Sequence, residues 1–455
     1  MAKIKQLFSS LSLKAQNKAL FKIAEKGNFT KYSKLISELP AEKAAKLIER
    51  RDFQDIKLFA LRYQFDAVDS LLSHIRENSM KYLLSEDSFR LIKVFAKIGN
   101  FEATEKLLEK FPIDIRANIL SSGQYEIITR CSELNNFEYA IAFLSILRPK
   151  NITQAISFAH YKILFNFAVQ NNLEAVRELL DSYITDKEKA IISGHYRIIQ
   201  QFADNGNYEA ISELFSNLSQ QTILHALQHD AYYIINRFAE LNKLENVLSL
   251  LEILPEEKRA NAVLSQEKNI INSFLKSSNF GAILEMLKYL DEGDKIEILT
   301  ENNFAILKAA AQNNNLEDFE PLFESLDLSQ KLDALQNANF SMIRNFAMHY
   351  NYEACEFIIA ELGHDLAKLA IKAKNFAVLR HFMSAGNIVA FEELIHKFPA
   401  KEQISALKIC EDYGLLYNDE TATITIRDAE TIPGFVTFEI LGATGDIPIG
   451  DAGIA

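Results

Sequence analysis

Apolar side chains return along this chain at a nearly constant interval. With Asn100 as a zero point, the equivalent positions are 28, 64, 100, 136, 172, 207, 243, 279, 315, 351 and 387; nine of the eleven are Asn, the exceptions being Gln64 and Lys243. Every step is 36 residues except one of 35, between Asn172 and Asn207. Eight residues before the zero point stands Ile or Leu in every unit, from Leu20 to Leu379. Five before is Phe in eight units (Phe59, Phe202, Phe382), and four before is Ala in eight (Ala24, Ala168, Ala347). Eleven before is aromatic in nine (Phe53, Tyr196, Phe376). A fixed period between 20 and 50 residues is the signature of a stacked array.

The spacings predict the elements of each unit. The aromatic, Ile and Phe-Ala positions, at steps of three and four, fall on one stripe of an amphipathic helix A. The Gly-Asn pairs (Gly27-Asn28, Gly99-Asn100, Gly206-Asn207, Gly386-Asn387) suit a left-handed helix end followed by an N-cap. Helix B then begins with an apolar residue (Phe29, Phe101, Tyr208, Ile388) and runs to a Leu-Leu type pair such as Leu107-Leu108. An acid often stands in its first turn, facing the positive helix end: Glu102, Glu138, Glu174, Glu209, Glu245, Glu317 and Glu353. A short segment C follows a Pro, Asp or Ser stop, as at Pro40, Pro255 and Pro399. Pro321, inside helix B of its unit, predicts a local distortion.

The expected fold is all-α: an α-solenoid of about eleven 36-residue helical repeats with a short β-leaning C-terminal tail. Residues 1–18 read as an N-terminal capping helix, 19–413 as the repeat solenoid and 414–455 as an acidic, Gly-rich tail. A targeting helix is the lesser reading of the N-terminus, which holds no arginine before Arg50. Residues 418–455 carry seven acids against one arginine, Arg427, a net −6. Their period-two stretches, Thr423–Ile426 and Phe435–Ile440, predict a hairpin or two, and a flexible or loosely capping tail is the plainer reading.

Composition narrows the function. The 455 residues are 48% hydrophobic and 24% charged, ordinary globular chemistry, and a stacked array escapes the usual domain count. The net charge of −12, from 49 basic and 61 acidic residues, disfavours non-specific nucleic-acid binding. Cys131, Cys355 and Cys410 lie far apart and read as buried thiols of a reducing compartment. No apolar run reaches 18 residues, so no helical span is expected.

The string Phe-Ala-x-x-Gly-Asn-(Phe/Tyr)-Glu-Ala-x-x-x-Leu-Leu, as at Phe202–Leu214 and Phe167–Leu180, resembles a degenerate ankyrin repeat over helices A and B of residues 19 to about 413. The Thr-Pro-Leu-His opening and the finger turn of ankyrin units are missing, segment C takes the latter's place, and the period exceeds the ankyrin one. Pentatricopeptide repeats have a close period, but their RNA-reading surface fits an acidic chain poorly. The bias toward Lys, Asn, Ile and Phe is similar to that of ankyrin-like effectors of intracellular bacteria. The resemblance implies a cytoplasmic protein, or one delivered into a host cytosol, that binds another protein on a long repeat surface.

No phosphate loop, nucleophile elbow or zinc-protease motif occurs, and no catalytic residue, cofactor or metal is expected. His225, His229 and Asp230 sit within one helical turn but read as surface. The two aspartates near the C-terminus, Asp446 and Asp451, supply too few oxygens for calcium. One charge pattern stands out. Helix A positions ten, seven and six before the zero point hold twelve basic residues against a single acid, Glu126. Ten of them are the candidate partner-binding set: Lys57, Arg90, Lys93, Arg130, Lys162, Arg197, Arg237, Lys308, Arg344 and Arg380. Stacking would align them into a basic ridge for an acidic protein surface or segment, with an anionic membrane surface or nucleic acid as the alternative ligand. The competing expectation is that they pair with helix B glutamates of neighbouring units.

Overall fold

The computed structural model describes residues 8–410 together with 415–418, 423–426 and 438–439. The body is helical and divides into two compact units, Met1–His229 and Asp230–Ala455.

In the first unit short B helices (Phe29–Ile36, Phe65–Leu72, Phe101–Leu108, Phe137–Ile146, Leu173–Tyr183, Tyr208–Phe215) alternate with longer helical spans such as Ala41–Leu61, Ile113–Glu133, Pro149–Val169 and Lys187–Asp204. The second unit continues with B helices Leu244–Ile253, Phe280–Leu287, Leu316–Glu324 and Ile388–Ile395 and spans such as Glu292–Gln312 and Leu328–Met348. Here Tyr352–Ser384 runs a B helix, a segment C and a helix A together, with a non-helical residue at Gly363 between the first two. Past the helices, Leu415–Asn418 pairs antiparallel with Thr423–Ile426, which pairs antiparallel with Phe438–Glu439. The expectations for residues 1–7 and for the rest of the tail lie outside the described residues.

All nine repeat asparagines act as N-caps. Each Oδ1 accepts from the backbone N–H three residues on, for example Asn28 from Lys31, Asn172 from Ala175 and Asn387 from Ala390. Gln64 and Lys243, the two exceptions in sequence, make no such bond: the glutamine side chain is longer, and the lysine ammonium has no acceptor to offer. The preceding residue is left-handed, as at Gly27, Asn135, Asn171 and Asn314. The caps also join successive units: Nδ2 of Asn172 donates to Oδ1 of Asn135 (2.7 Å), and in the second unit Asn279 reaches Asn242 (2.8 Å) in the same way.

One element differs from expectation. The longer spans are segment C and the next helix A joined through a turn of three consecutive left-handed residues, for example Arg51-Asp52-Phe53, Gly194-His195-Tyr196 and Ala338-Asn339-Phe340. The aromatic column therefore closes this turn and does not lie on the helix A stripe. The helix Leu13–Glu25 runs straight, and there Asn17 occupies the aromatic's place and donates to the Leu47 carbonyl (3.3 Å). Pro321 does not break its helix, which runs from Leu316 to Glu324 without a non-helical residue. The proline sits in the second turn, where one hydrogen bond is lost and the buried Phe319, Leu322 and Phe323 hold the helix in place.

Left-handed backbone costs a residue with a Cβ about 1–2 kcal/mol. Ala338 (φ 49°) is exposed and its side chain contributes nothing to offset that cost. We expect Ala338→Gly to stabilise the protein by about 0.5–1 kcal/mol, after the larger chain entropy of glycine is counted. Urea unfolding measures it; a net loss would mean that the turn is not left-handed in solution.

The alanine, Phe and Leu columns form the core. Phe59, Phe95, Phe143, Phe167, Phe202, Phe238, Phe274 and Phe346 are fully buried, and so are Ala168, Ala203 and Ala347. A methyl at the alanine positions lets backbones approach while phenyl rings fill the gaps between them. No helix among the described residues is long and apolar enough to cross a membrane.

Candidate functional site: the helix A ridge

The ten ridge residues all lie on or just before helix A, but their surroundings differ sharply along the chain. Lys57 Nζ sits 2.7 Å from Asp52 and 2.6 Å from Glu86. Burial works against its charge, yet those two carboxylates outweigh it and lift its pKa above the ordinary lysine value. Lys93 pairs with Glu126 at 3.7 Å. Arg130 (2.9 Å) and Lys162 (3.3 Å) share Glu133. Burial opposes the Glu133 charge, but the two cations hold its carboxyl below the usual range. Arg90 approaches Asp87 only at 4.0 Å and stays exposed. Arg197 lies 4.1 Å over the Phe165 ring, a cation–π contact.

In the second unit Arg237 pairs with Glu240 at 2.8 Å. The next cations in the column seven before the zero point, Lys308, Arg344 and Arg380, meet no carboxylate among the described residues. Arg344 donates to the Ala338 carbonyl (3.1 Å) and Arg380 to the Lys374 carbonyl (2.9 Å), each in its own left-handed turn. Those bonds fix both guanidinium groups but leave their charges unneutralised. In each, Nε is buried without a hydrogen-bond partner. His381 reports the resulting field: burial, then Arg380, then Arg344 depress its pKa below the ordinary histidine value.

The acids that neutralise ridge cations come from helix A and from the C-to-A junction: Asp52, Glu86, Glu126, Glu133 and Glu240. None lies in helix B, so the helix B pairing expected from the sequence does not describe this ridge. Helix B glutamates instead stand in their own first turns, as at Glu102, which is held by Lys106 (2.6 Å) on the same helix. Lys57–Glu86, Lys93–Glu126 and Lys162–Glu133 join adjacent units, a proximity that column positions alone do not report, whereas Arg130–Glu133 and Arg237–Glu240 are three residues apart on one helix.

Two features escaped the sequence reading. His381, beside Arg344 and Arg380, belongs to the unneutralised group; the column six before the zero point held the signal. The second is an open hollow of about 490 Å³ in the first unit, where Lys97 joins Lys93, Arg130 and Lys162. Arg130 Nε there donates to the Lys97 carbonyl (2.9 Å), at the C-terminal end of the preceding unit's helix A.

His225 Nδ1 shares a 2.6 Å hydrogen bond with the Tyr196 hydroxyl, and His229 stacks on His195 with ring centroids 6.0 Å apart. Among the described residues no three His, Cys, Asp or Glu side chains converge as a metal site. Cys131 and Cys355 are buried, and burial pushes both thiols far above the ordinary value. The Cys410 side chain, Asp446 and Asp451 lie outside the described residues.

The fold and the ridge define a class, an all-helical protein of recurring short helices with charged side chains along one helix of each unit. No protein-family model matches the chain, and no curated protein matches it in sequence.

Proposed function

We propose that this chain is a non-enzymatic α-solenoid scaffold of about eleven repeats that grips an acidic segment of a partner protein along helix A. The supporting observation is the run Lys308, Arg344, Arg380: one cation per repeat, in one column, with no carboxylate among the described residues to answer it. In a chain of net charge −12, three successive half-buried cations without counter-ions are a cost to folding that an acidic ligand would offset. The N-terminal part of the ridge is largely answered by its own acids, so the proposed grip is confined to Lys308, Arg344, Arg380 and the adjacent His381.

The test is fluorescence anisotropy of a labelled oligoglutamate peptide against the full chain and the triple variant Lys308→Glu/Arg344→Glu/Arg380→Glu, with circular dichroism to verify folding. At least a tenfold weaker affinity in the folded variant is expected. Equal affinity for both proteins overturns the assignment. Single-stranded RNA and anionic vesicles run alongside: column-dependent binding to either, falling steeply with salt while the peptide stays unbound, replaces the acidic-protein reading with a phosphate one.

A further inference from the structure

Charge is not the only pattern repeated at helix A. At its C-terminal end the first unit leaves one aliphatic side chain exposed per repeat: Leu61 (56%), Ile98 (40%), Leu134 (42%) and Val169 (38%). Such residues singly need no explanation, but these four fall in successive repeats at the end of helix A, Leu61 and Val169 three before the zero point and Ile98 and Leu134 two before, and make a staggered row. Leu134 crosses Gly99, the neighbour of Ile98, so closely that a Cβ on Gly99 would lie 2.8 Å from Leu134 Cδ1. That glycine, at φ +81°, is needed both for the left-handed helix end and for the crossing. The row ends at the next repeat, where Asp204 and Asn205 take the equivalent places.

The row meets the 490 Å³ hollow at Ile98, the one member that lines the hollow. Its charged lining is Lys93, Lys97, Arg130 and Lys162 against Glu126 and Glu133, a net +2. An apolar row flanked by net positive charge fits a ligand that is apolar on one stripe and acidic beside it. Spacing decides the ligand's conformation. Packed helices stand about 10 Å apart, so row members recur at roughly that interval. An α-helix rises about 1.5 Å per residue and presents every seventh residue on one face about 10.5 Å further along. An extended strand has no such match, because residues about 10 Å apart are three apart and point to opposite faces.

We propose that Leu61, Ile98, Leu134 and Val169, with the basic hollow beside them, form a docking groove for one amphipathic acidic helix of a partner protein. Three steps of about 10 Å call for about 20 residues of helix, with an aliphatic residue every seventh position and Glu or Asp three or four residues from each. The groove lies in the first unit, does not involve Lys308, Arg344 or Arg380, and stands or falls without them.

The probe is a labelled synthetic helix of about 22 residues with four Leu at seven-residue intervals and Glu beside each, titrated into the full chain by anisotropy. The same composition scrambled serves as the control. We expect the patterned helix to bind at least tenfold more tightly than the scrambled one, and Ile98→Ser/Leu134→Ser to remove that preference. Both side chains are partly exposed, and circular dichroism verifies that the variant stays folded. Lys97→Glu, on the rim, should weaken the patterned helix several-fold, while the triple variant of the second-unit column leaves it unchanged. Hydrogen exchange provides a second readout, with protection expected at residues 93–98 and 130–134 on binding. Equal binding of the two peptides, no binding of the patterned helix, or full affinity in Ile98→Ser/Leu134→Ser overturns the groove. So does binding to phosphatidylserine vesicles in place of the peptide.

Discussion

Replacing Phe167 by alanine is expected to destabilise the first unit by about 3–5 kcal/mol, the cost of a fully buried phenyl lost to a cavity. Phe167 has no solvent exposure, and the Phe137 ring of the preceding helix B meets it edge-on at 5.7 Å and 85°. The same contact recurs as Phe29 with Phe59 and Phe65 with Phe95, both at 5.6 Å, and in the second unit as Tyr352 with Phe382 at 6.0 Å. Each pair joins one unit to the next, so the variant loses a contact between units as well as core volume; such pairs add about 0.5–1.5 kcal/mol beyond burial. Urea unfolding gives the magnitude, and a loss under about 1 kcal/mol would contradict the packing. Hydrogen exchange gives the reach. In a stack held by nearest-neighbour contacts, protection should fall in Phe137–Ile146, Pro149–Val169 and Leu173–Tyr183 and persist in Leu13–Glu25. Uniform loss of protection through the first unit would argue against independent stacking.

The second large effect concerns a buried pair near the N-terminus. The Tyr32 hydroxyl donates to Asp55 Oδ2 at 2.7 Å, with both side chains buried. Burial raises the Asp55 pKa above the ordinary carboxylate range, against the pull of the Tyr32 hydrogen bond and the Arg51 charge. Burial, repulsion by Asp55 and the hydrogen bond also raise the Tyr32 pKa far above its usual value. Both shifts are upward, so both contributions to stability are full below the unfolded pKa and are lost as pH rises. For Asp55 the loss begins near pH 4 and for Tyr32 near pH 10. Tyr32→Phe removes the donor to the buried Asp55 carboxyl, at a cost of about 1–3 kcal/mol. That cost should shrink as falling pH protonates the acid in the folded protein. Asp55→Asn keeps an acceptor for the hydroxyl and removes the titration, so its melting temperature relative to wild type should climb between pH 4 and 7. A difference that stays flat across that range would show that folding does not shift the Asp55 pKa.

Much of this architecture is legible in the sequence because its causes are local. An asparagine every 36 residues is an N-cap wherever it occurs, because the bond runs only to the third residue beyond it; Gln64 and Lys243 fail for the same local reason. The Leu, Phe and Ala columns report burial because a helix buries one stripe, and every such stripe repeats. The aromatic column was legible as buried but not as a turn. A residue three before a helical stripe continues that stripe in a right-handed helix, and spacing carries no information on backbone handedness. Phe53, Tyr196 and Phe340 therefore read as helix A until the backbone placed them in left-handed turns.

The ridge divides in the same way. Its basic columns could be counted from the sequence, including Lys57, Lys93, Lys308, Arg344 and Arg380. Which of those charges are answered depends on distances between helices of different units, such as Lys162 reaching Glu133 across 29 residues of chain. By itself the sequence determined the repeat period, the caps and the buried stripes, all set by interactions within a few residues. Only the tertiary structure decided the left-handed turns, the neutralised and unneutralised cations and the exposed row from Leu61 to Val169. Each of these depends on how one helix lies against the next, and a pairing between side chains 29 or more residues apart leaves no mark on the spacing within a single repeat.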